Sequence, residues 1–384
     1  MKLGIDCRDL VAGSLNGIGR FVVNLIRSLA DRNDSPDLFL YGNQDTVFDV
    51  ADSADAPVEA EQRRANERSV LWWDRVTLPR MVRRDRLDVF LSPYFKAPGI
   101  RSCPIAVTVH DLMALRLPQS LSGRGRTSVE AFRAYAAHSA RRAAVVLTVS
   151  EHSRRDIAEL LDVPESKTCV VGNCVDARFR PTDDPEPSRR AKEFCGINGD
   201  YLLYVGNFRP HKNIDGLLDA YAGLDAGLRD RYSLVLAGRE DPWTAEARRR
   251  ADQLGLDDRV RFPGHVPDEY LPGLYAGAHA FVTLSRWEGF GLPPLEAMAC
   301  GVPVVASDRA ALPEVTGEAA LRVDPEDQAG VTGAIARALT DPDTRRELSE
   351  KGRQRAAEFS PNRFAEKVLA ALAKAMKKEA ADAC

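Results

Sequence analysis

Short apolar runs alternate with longer amphipathic stretches along the whole chain. The apolar runs of the first half read KLGID, LFLYG, DVFLS, IAVTVHD, AVVLTVS and KTCVVGN. Those of the second half read YLLYVGN, SLVLAG, VRFPGHV, AFVTLS, VPVVAS and ALRVDP. Helical periodicity lies between these runs, most clearly over 17–30, 127–142, 213–223, 245–254 and 362–378. Nearly continuous apolar strands separated by helices predict parallel sheets covered on both faces.

A length of 384 residues favours two domains, and the apolar pattern restarts at Tyr201. The preceding stretch, FRPTDDPEPSRRAKEFCGINGD, is rich in proline and charge, which is typical of a linker. We therefore predict a boundary near 178–199, with domains over 1–180 and 200–358. Ligands of open α/β sheets bind at the carboxyl ends of the strands, so the site is expected in a cleft between the two domains.

Composition excludes several classes of protein. Apolar residues make up 44% and charged residues 28%, with a net charge of −3, which fits a globular protein and does not indicate nucleic-acid binding. The start, MKLGIDCRDL, lacks the apolar run of a signal peptide, and no stretch has the roughly 20 apolar residues of a spanning helix. The seven cysteines are scattered, which favours a reducing cytoplasm over a disulfide framework.

The run SRWEGFGLPPLEAMACGVPVV places two glutamates around a loop of glycines and prolines. Gly289 and Gly291 should lie where the chain enters a helix, whose free N–H groups and positive dipole end suit a phosphate. Glu296 is predicted in the first helical turn, where a carboxylate also stabilises the dipole, so a structural role stays open. Glu288 precedes the helix with no capping role at that distance, and we predict a functional role for it.

The run YVGNFRPHKNIDGLLDAY carries Arg209, His211 and Lys212 on a loop between a strand and a helix. Two fixed cations at the carboxyl end of a strand match a phosphate or diphosphate, although a solvated loop with charges is an alternative. In VTVHDL, His110 ends a strand that reads as buried. It is expected to point into the cleft, with a structural histidine as the alternative.

The run GSLNGIGRFVVNL holds Gly13, Gly17 and Gly19 after the first strand and could approach phosphates. Its spacing is not Gly-x-Gly-x-x-Gly, and LFLYG lacks an acidic residue at its end, so a nicotinamide site is disfavoured. The basic stretch over 63–87 contains two tryptophans and could contact an anionic membrane surface or an anionic acceptor. A solvated helix face with core tryptophans is equally compatible.

Taken together, these runs resemble the retaining glycosyltransferases of family 4, which have the GT-B fold. The resemblance covers nearly the whole chain and rests on NGIGRFVVNL, LSPYFKAP, VTVHDL, LTVSEHSRRDI, YVGNFRPHKNIDGLLDAY, GHVPDEYLPGLYAGA and EGFGLPPLEAMACGVPVVASDRAALPEV. The spacing of Glu288 and Glu296 resembles the Glu-x7-Glu signature of the family. The resemblance implies two doubly wound Rossmann-like domains with a deep cleft and a last helix, 361–384, that crosses back to the first domain.

The resemblance also implies residue roles. Those expected nearest the reaction are His110 at the transferred sugar, Glu288 at the sugar hydroxyls, and Arg209 and Lys212 at the diphosphate. Further donor contacts are expected from Gly17, Val266 at the base, Gly289, Phe290, Gly291, Leu292, and Glu296 at the ribose. Many relatives place an arginine directly after the glycine at Gly206, where this chain has Asn207. Arg209 is expected to take over that contact.

The implied activity is retaining transfer of a hexose from a nucleotide-diphosphate sugar to a glycan, lipid-linked or small-molecule acceptor. The variants TVHDL and RPHKN resemble the mannosyltransferase branch, which favours GDP-mannose, with a UDP-hexose and glucosyl transfer as the alternative. No metal or cofactor is expected besides the donor, because the one Asp-x-Asp triplet, Asp341–Asp343, falls at a predicted helix start. The dominant catalytic effect would be stabilisation of charge on the leaving phosphate by Arg209, Lys212 and the helix.

Three other classes share parts of this pattern. A GT-B sugar-nucleotide epimerase has the same fold and needs no acceptor. A dehydrogenase is disfavoured by the glycine spacing, and a periplasmic sugar-binding protein by the missing export signal. The chain is expected in the cytoplasm, either free or in peripheral contact with the inner face of the membrane.

Overall fold

The computed structural model describes residues 1–11, 17–51, 59–66, 69–117, 126–256 and 258–382. The chain forms two compact units, the first comprising Met1–Cys174 together with Ser360–Cys384 and the second Val175–Phe359. Each unit contains one sheet with helices packed around it. The two units are described separately below.

The strands of the first unit form one sheet, and those of the second unit form another. In the first unit they are β1 Lys2–Asp6, β2 Asp37–Asn43, β3 Glu61–Ala65, β4 Val89–Ser92, β5 Ile105–Thr108, β6 Val145–Thr148 and β7 Thr168–Val170. In the second unit they are β8 Asp200–Val205, β9 Tyr232–Ala237, β10 Val260–Gly264, β11 Ala280–Thr283, β12 Val304–Ser307 and β13 Ala320–Val323.

The helices cover both faces of each sheet and vary widely in length. Those before the second unit are α1 Gly17–Ala30, α2 Val70–Trp72, α3 Leu78–Asp85, α4 Met113–Arg116, α5 Arg126–Arg142 and α6 Glu151–Leu161. Those after them are α7 Glu186–Cys195, α8 Ile214–Ala222, α9 Ala226–Arg231, α10 Thr244–Gln253, α11 Leu271–Ala276, α12 Leu292–Ala299, α13 Leu312–Thr316, α14 Gln328–Thr340, α15 Pro342–Ala357 and α16 Pro361–Asp382.

Both sheets are parallel and doubly wound. The first has the strand order β3-β2-β1-β4-β5-β6-β7 and the second β10-β9-β8-β11-β12-β13. The order therefore reverses between β1 and β4 in the first sheet and between β8 and β11 in the second. At such switch points the loops leave neighbouring strands in opposite directions and open a crevice, which is where ligands of doubly wound sheets bind. The predicted class of sheet is confirmed.

One strand lies outside the predicted apolar runs. β3 has the sequence EQRRA and, among the strands that the structure describes, pairs with β2 alone at the edge of the first sheet. An edge strand has one free side and needs little apolar surface, so β3 forms without the apolar signal that marks the central strands.

The segment 178–199, predicted as a linker, belongs to the second unit and contains α7. This helix buries Ala191 and Cys195 and ends at Gly196, whose φ of 63° is a left-handed cap. Its Phe194 ring stacks on Tyr270 with the centroids 4.7 Å apart. The linker prediction was wrong because charge on the exposed face of a short helix has the same composition as a linker.

The last helix, α16, is part of the first unit, where it packs along α1. The ring of Phe364 meets Phe21 edge-on at 5.2 Å, and both side chains are buried. None of the described helices combines the length and the apolarity that crossing a membrane requires.

Candidate active site

The clearest candidate site lies at the switch point of the second sheet. The loop after β8 carries Lys212 and the loop after β11 carries Glu288, and these two strands are hydrogen-bonded neighbours. Lys212 Nζ donates to Glu288 Oε1 at 2.5 Å, although 76 positions separate the two residues. The side chains are 14% and 18% exposed, so the pair is largely buried but can still be reached from solvent.

A serine hydroxyl also donates to Glu288, at the same oxygen as Lys212. Ser285 Oγ donates to Glu288 Oε1 at 2.7 Å, and Thr283 Oγ1 lies 3.2 Å from Ser285 Oγ. The Ser285 carbonyl accepts from Ser307 Oγ, which ties this loop to the end of β12. The side-chain hydrogen bonds that Glu288 accepts from Lys212 and Ser285 both end on Oε1.

The Lys212 loop is fixed by a short turn and a left-handed residue. A 3-10 turn over Pro210–Lys212 is followed by Asn213 at φ 56°, a conformation that asparagine tolerates better than most residues. Asn213 is buried, and its Nδ2 donates to the Pro325 carbonyl at 3.2 Å. The Arg286 N–H donates to the His211 carbonyl at 2.7 Å and so joins this loop to the one that carries Glu288.

The two predicted phosphate cations occupy different environments. Lys212 contacts Glu288, whereas Arg209 is exposed and its backbone N–H donates to Asn207 Oδ1 at 3.3 Å. His211, which was noted on this loop without a role, is buried, and burial lowers its pKa to about 4, with the Lys212 charge acting in the same direction. It is therefore neutral at pH 7.

The helix that follows Glu288 starts one residue earlier than the sequence predicts, at Leu292 and not at the proline after it. Gly291 is its N-cap at φ 116°, Leu292 is its first residue, and two prolines follow that have no N–H to offer. Glu296 is thus in the second turn, beyond the reach of the dipole effect that the first-turn alternative required. Its side chain is buried and accepts from Tyr275 OH at 2.8 Å. The first-turn placement of Glu296 was wrong by one position, because the helix begins one residue earlier than predicted.

The other predicted donor contacts lie around these loops. Phe290 buries its side chain, and its ring meets Phe359 edge-on at 5.6 Å, so only its backbone is available to a ligand. Gly289 and Leu292 are partly exposed on either side of it. Val266 is buried just after β10, which places it two strands away from β8.

In the first unit, His110 follows β5 at the carboxyl edge of the sheet. Its Nε2 lies 3.0 Å from the Pro93 carbonyl, and its ring meets Phe21 edge-on at 4.9 Å. Burial lowers the pKa of His110 to about 4, and the carbonyl opposes part of that shift. Gly17 begins α1 in open space, since an added Cβ would meet no atom within 4 Å. Gly13 lies outside the described residues.

The sequence did not single out Ser285 and Tyr275, which hold the two glutamates. Ser285 stands three residues before Glu288, and serine at that spacing is common in turns of any function. Tyr275 meets Glu296 across 21 positions, from α11. No periodicity or motif links these residues, so only the packing of the second unit could identify them.

Comparison with known proteins assigns the chain to a family. Residues 188–355 match the family described as Glycosyl transferases group 1, and residues 15–179 match Glycosyltransferase Family 4. The chain is 32% identical to O-antigen chain mannosyltransferase B of Escherichia coli over 358 residues, which cover 90% of this chain and 93% of that protein. The chain belongs to glycosyltransferase family 4. The prediction of a retaining hexosyltransferase is therefore confirmed.

A further relative and two solved structures are also similar to this glycosyltransferase. It is 31% identical to O-antigen chain mannosyltransferase RfbU of Salmonella typhimurium, over 62% of this chain and 61% of that one. Among solved structures, HepE of Anabaena in complex with UDP and glucose superimposes with a TM-score of 0.78 at 19% identity, over 97% and 99% of the two chains. WaaG, a glycosyltransferase involved in lipopolysaccharide biosynthesis, gives 0.73 at 18% identity, over 96% and 99%. The predicted GT-B class is confirmed.

Proposed function

We propose that this glycosyltransferase moves a mannosyl group from a nucleotide-diphosphate sugar, GDP-mannose in the first place, to a glycan or lipid-linked glycan acceptor. The observation that carries the proposal is the Lys212–Glu288 pair at the switch point of the second sheet. Near full-length similarity to an O-antigen chain mannosyltransferase supports mannose and a polysaccharide acceptor.

Lys212 would take the diphosphate. When a nucleotide sugar reacts, negative charge builds up on the β-phosphate, and an ammonium group fixed in a partly desolvated site stabilises that charge without reorganising. Lys212 is fixed by Glu288 and by the turn that ends at Asn213. Arg209, exposed on the same loop, would add a second and weaker contact. This arrangement would act without a metal ion.

Glu288 would bind the donor sugar. Its Oε1 holds Lys212 and Ser285, and its Oε2 would accept from hydroxyls of the sugar. One carboxylate would thus connect the phosphate-binding cation with the sugar. The backbone from Gly289 to Leu292 would line the same donor, with only Gly291 and Leu292 providing N–H groups at the helix start because the next two residues are prolines.

The family resemblance supports further proposed roles in each unit. Glu296 would hold the ribose hydroxyls, Val266 would present its backbone to the base, and Gly17 would leave room for the diphosphate. His110, neutral at pH 7 because burial lowers its pKa to about 4, would donate or accept a hydrogen bond at the transferred sugar without adding charge. Attack from the face that the leaving phosphate vacates would retain the anomeric configuration.

A panel of nucleotide sugars tests the donor. GDP-mannose, UDP-glucose and UDP-galactose are compared for binding by calorimetry and for slow hydrolysis without an acceptor. We expect GDP-mannose to bind most tightly and to release mannose and GDP. Preference for a UDP-sugar would instead support the alternative of glucosyl or galactosyl transfer. Turnover of none of the three would contradict the proposed function.

An epimerase is separated from a transferase by its products. An epimerase would convert the sugar of the donor without an acceptor, whereas a transferase releases the nucleoside diphosphate. We expect GDP release, measured by chromatography, to increase when a mannose-containing acceptor is added. Recovery of an altered nucleotide sugar in place of GDP would favour the epimerase.

Contact with a membrane surface is a second part of the proposal. Val70, Leu71 and Trp72 at the start of the helical segment 70–85 are 53%, 61% and 56% exposed. Exposed arginines follow on the same segment, at Arg75, Arg80, Arg83 and Arg84. Exposed apolar side chains beside exposed cations suit the interface of an anionic bilayer. Trp73, by contrast, is buried in the core.

Vesicle sedimentation tests this contact. We expect the protein to sediment with phosphatidylglycerol vesicles and to remain in solution with phosphatidylcholine vesicles. The variant Leu71→Ser/Trp72→Ser should lose most of the binding while keeping its donor affinity. Equal sedimentation of the variant and the unaltered protein would exclude these side chains as the contact.

A further inference from the structure

A cavity of about 290 Å³ lies at the amino edge of the first sheet, and none of the predicted roles involves it. Pro104, Ala144 and Lys167 line it, and each of them directly precedes a strand, β5, β6 and β7 respectively. His110 lies at the opposite edge of the same sheet, at least about 13 Å away along the four residues of β5. The cavity is therefore separate from the carboxyl edge, where ligands of doubly wound sheets bind.

A second cavity of about 380 Å³ adjoins the first, since Ala144 and Lys167 line both. In the part of the chain that the structure describes, every charged side chain that lines either cavity is basic. These amino-edge cations are Arg101, Arg141, Arg142, Lys167, Lys374 and Lys377. The whole chain has a net charge of −3, so this surface concentrates positive charge against the average of the molecule. A concave surface lined by one sign of charge attracts ions of the other sign.

Arg142 is bound to backbone carbonyls beside the first cavity. Its Nη1 donates to the carbonyls of Ala97 and Pro98 at 3.1 and 2.6 Å, and its Nη2 donates to that of Ile100 at 2.8 Å. These bonds fix the loop that leads directly to Arg101. Burial lowers the pKa of Arg142, and the charge of Arg101 acts in the same direction. Neutral carbonyls thus hold Arg142 in place without offsetting its charge.

Two lysines are held at the same place by backbone carbonyls. Lys167 Nζ donates to the Arg141 carbonyl, and Lys374 Nζ donates to the Ser166 carbonyl at 2.6 Å. An ammonium group has three N–H donors, so one carbonyl leaves it able to bind a further acceptor. The end of α5, the start of β7 and the last helix, α16, therefore bring their cations together at this edge.

Arg101 and Arg141 are the arginines with the most donors still available. Arg101 is exposed, and its guanidinium forms no hydrogen bond or ion pair with the residues that the structure describes. Arg141 Nη1 donates to the Leu161 carbonyl at 3.2 Å and lies 3.9 Å from Asp162 Oδ2, on a side chain that is 99% exposed. An ion pair that long and that exposed contributes little. Both guanidinium groups therefore keep N–H donors for an anion.

A phosphate group fits this arrangement better than a single carboxylate does. A phosphate monoester has about two negative charges at pH 7 and three strong acceptor oxygens, so it can be shared by several cations. Arginine presents paired N–H groups that match two oxygens of a phosphate, and lysine adds a point charge. Six cations that line adjoining cavities repel one another, and a bound phosphate would offset that repulsion.

We propose that the amino-edge cations bind a phosphate group, with Arg101 and Arg141 as its main contacts. The group belongs either to a soluble phosphate compound or to the headgroup of an anionic lipid, which present the same chemistry to the site. No described residue of the segment 70–85 lines either cavity, so this site is distinct from the membrane contact proposed above. The inference does not depend on which sugar, base or acceptor the enzyme uses.

Calorimetry with inorganic pyrophosphate tests the soluble source. The full chain carries Lys212→Ala, which removes the cation proposed to bind the donor diphosphate. We expect Arg101→Gln/Arg141→Gln to weaken pyrophosphate binding about tenfold or more, the effect of lost hydrogen bonds to a charged group. Arg249→Gln/Arg346→Gln is the matched control, because it removes two exposed arginines of the second unit and changes the net charge equally. Its binding should stay within about twofold.

Vesicle sedimentation tests the lipid source. Phosphatidylglycerol vesicles are added to the full chain carrying Leu71→Ser/Trp72→Ser, so that the other proposed contact is removed. If the phosphate belongs to a lipid, Arg101→Gln/Arg141→Gln should weaken vesicle binding about 10- to 30-fold, the effect of two cations near an anionic surface. The control pair Arg249→Gln/Arg346→Gln should bind vesicles as the parent chain does. Melting temperatures of both pairs should match that of the parent, because their guanidinium groups are exposed.

Each outcome decides for or against the site. A selective loss in the calorimetric assay identifies a soluble phosphate, a selective loss in the vesicle assay identifies a lipid headgroup, and either one supports the phosphate site. Equal binding by the two pairs of variants in both assays, or no binding of either probe by the parent chains, overturns it. Malonate that binds at this edge as tightly as pyrophosphate would overturn the assignment to phosphate. None of these assays uses a nucleotide sugar, so the proposed function stands or fails separately.

Discussion

The two switch points of this protein share a topology and differ in how their charges are satisfied. In the second unit one cation, Lys212, meets one carboxylate, Glu288, and we propose that Oε2 of Glu288 binds the donor sugar. In the first unit one cation, Arg8, meets two carboxylates, those of Asp6 and Asp74. The same fold thus places a lysine–glutamate pair at one switch point and an arginine between two aspartates at the other.

The difference lies in the loops and not in the strands. After β8 a 3-10 turn and a left-handed asparagine direct a lysine back over the edge of the sheet. After β1 the chain supplies Arg8 and Asp9 directly, and the opposing carboxylate of Asp74 comes from a helical segment beyond β3. Strand order therefore determines where a site can form, and loop sequence determines which chemistry it has.

The largest expected effect is at the cation of the second unit. Lys212→Ala removes the charge that we place on the leaving phosphate, and we expect kcat to fall about 100- to 1,000-fold, as for loss of one preorganised transition-state contact. Steady-state transfer from GDP-mannose measures it. Lys351→Ala is the matched control, because Lys351 forms an exposed pair with Glu347 at 2.6 Å on α15. Near-normal turnover of Lys212→Ala in a folded protein would remove the basis of the comparison.

Breaking the ion pairs that Arg8 forms with Asp6 and Asp74 should instead lower the stability of the fold. Arg8→Met leaves Asp6 buried without its cation, and we expect a loss of about 3 kcal/mol in the free energy of unfolding. Urea titration followed by circular dichroism measures it. Arg286→Met, which breaks an exposed pair with Glu326, should change stability by less than about 1 kcal/mol. Equal effects of the two changes would contradict the buried character of the first network.

A smaller effect is expected at the second glutamate of the motif. Glu296→Gln keeps the shape and the hydrogen bond from Tyr275 but removes the charge that we place at the ribose, so the donor KM should rise about tenfold. Initial-rate kinetics over a range of donor concentration measure it, with Tyr275→Phe testing the supporting contact. A lower melting temperature with an unchanged KM would instead indicate that Glu296 is structural.

The smallest expected effect is the pH dependence of stability from one histidine in each unit. Burial lowers the pKa of His110 and of His211 to about 4, whereas an unfolded histidine titrates near 6.5. Between these pH values the unfolded chain binds more protons, so stability is full above about pH 6.5 and falls as the pH drops toward 4.

Melting temperatures between pH 7 and pH 4.5 check this sign. His110→Gln and His211→Gln should each flatten the curve, and the exposed His138→Gln should leave its slope unchanged. A melting temperature that rises toward acid pH would show that these two histidines are not buried in their neutral form.

Much of the fold could be predicted from the sequence because its signals are local. The helix predicted over 17–30 has those bounds, and the helix predicted over 127–142 is observed as Arg126–Arg142. Apolar runs identify the central strands since these are buried on both faces. β3 and α7 escaped this signal, because an exposed edge strand and a short charged helix bury little surface.

The candidate site could be predicted from the sequence only in part. Motif spacing singled out Lys212 and Glu288, and the structure places them in contact, while their roles toward a donor remain a prediction. Of the adjacent tryptophans, the sequence gives no reason why Trp73 should be buried and Trp72 56% exposed. That difference depends on which face of the segment 70–85 packs on the sheet.

By itself, the sequence determined the alternation of strands and helices, the glycine and proline turns, and the residues able to bind phosphate, because these depend on neighbours a few positions away. Only the tertiary structure decided that Arg8 meets Asp74 across 66 positions and that Tyr275 supports Glu296 across 21. Such contacts follow from strand order and from helix packing. Both arise from burial of apolar surface over a whole unit, which no short stretch of chain specifies.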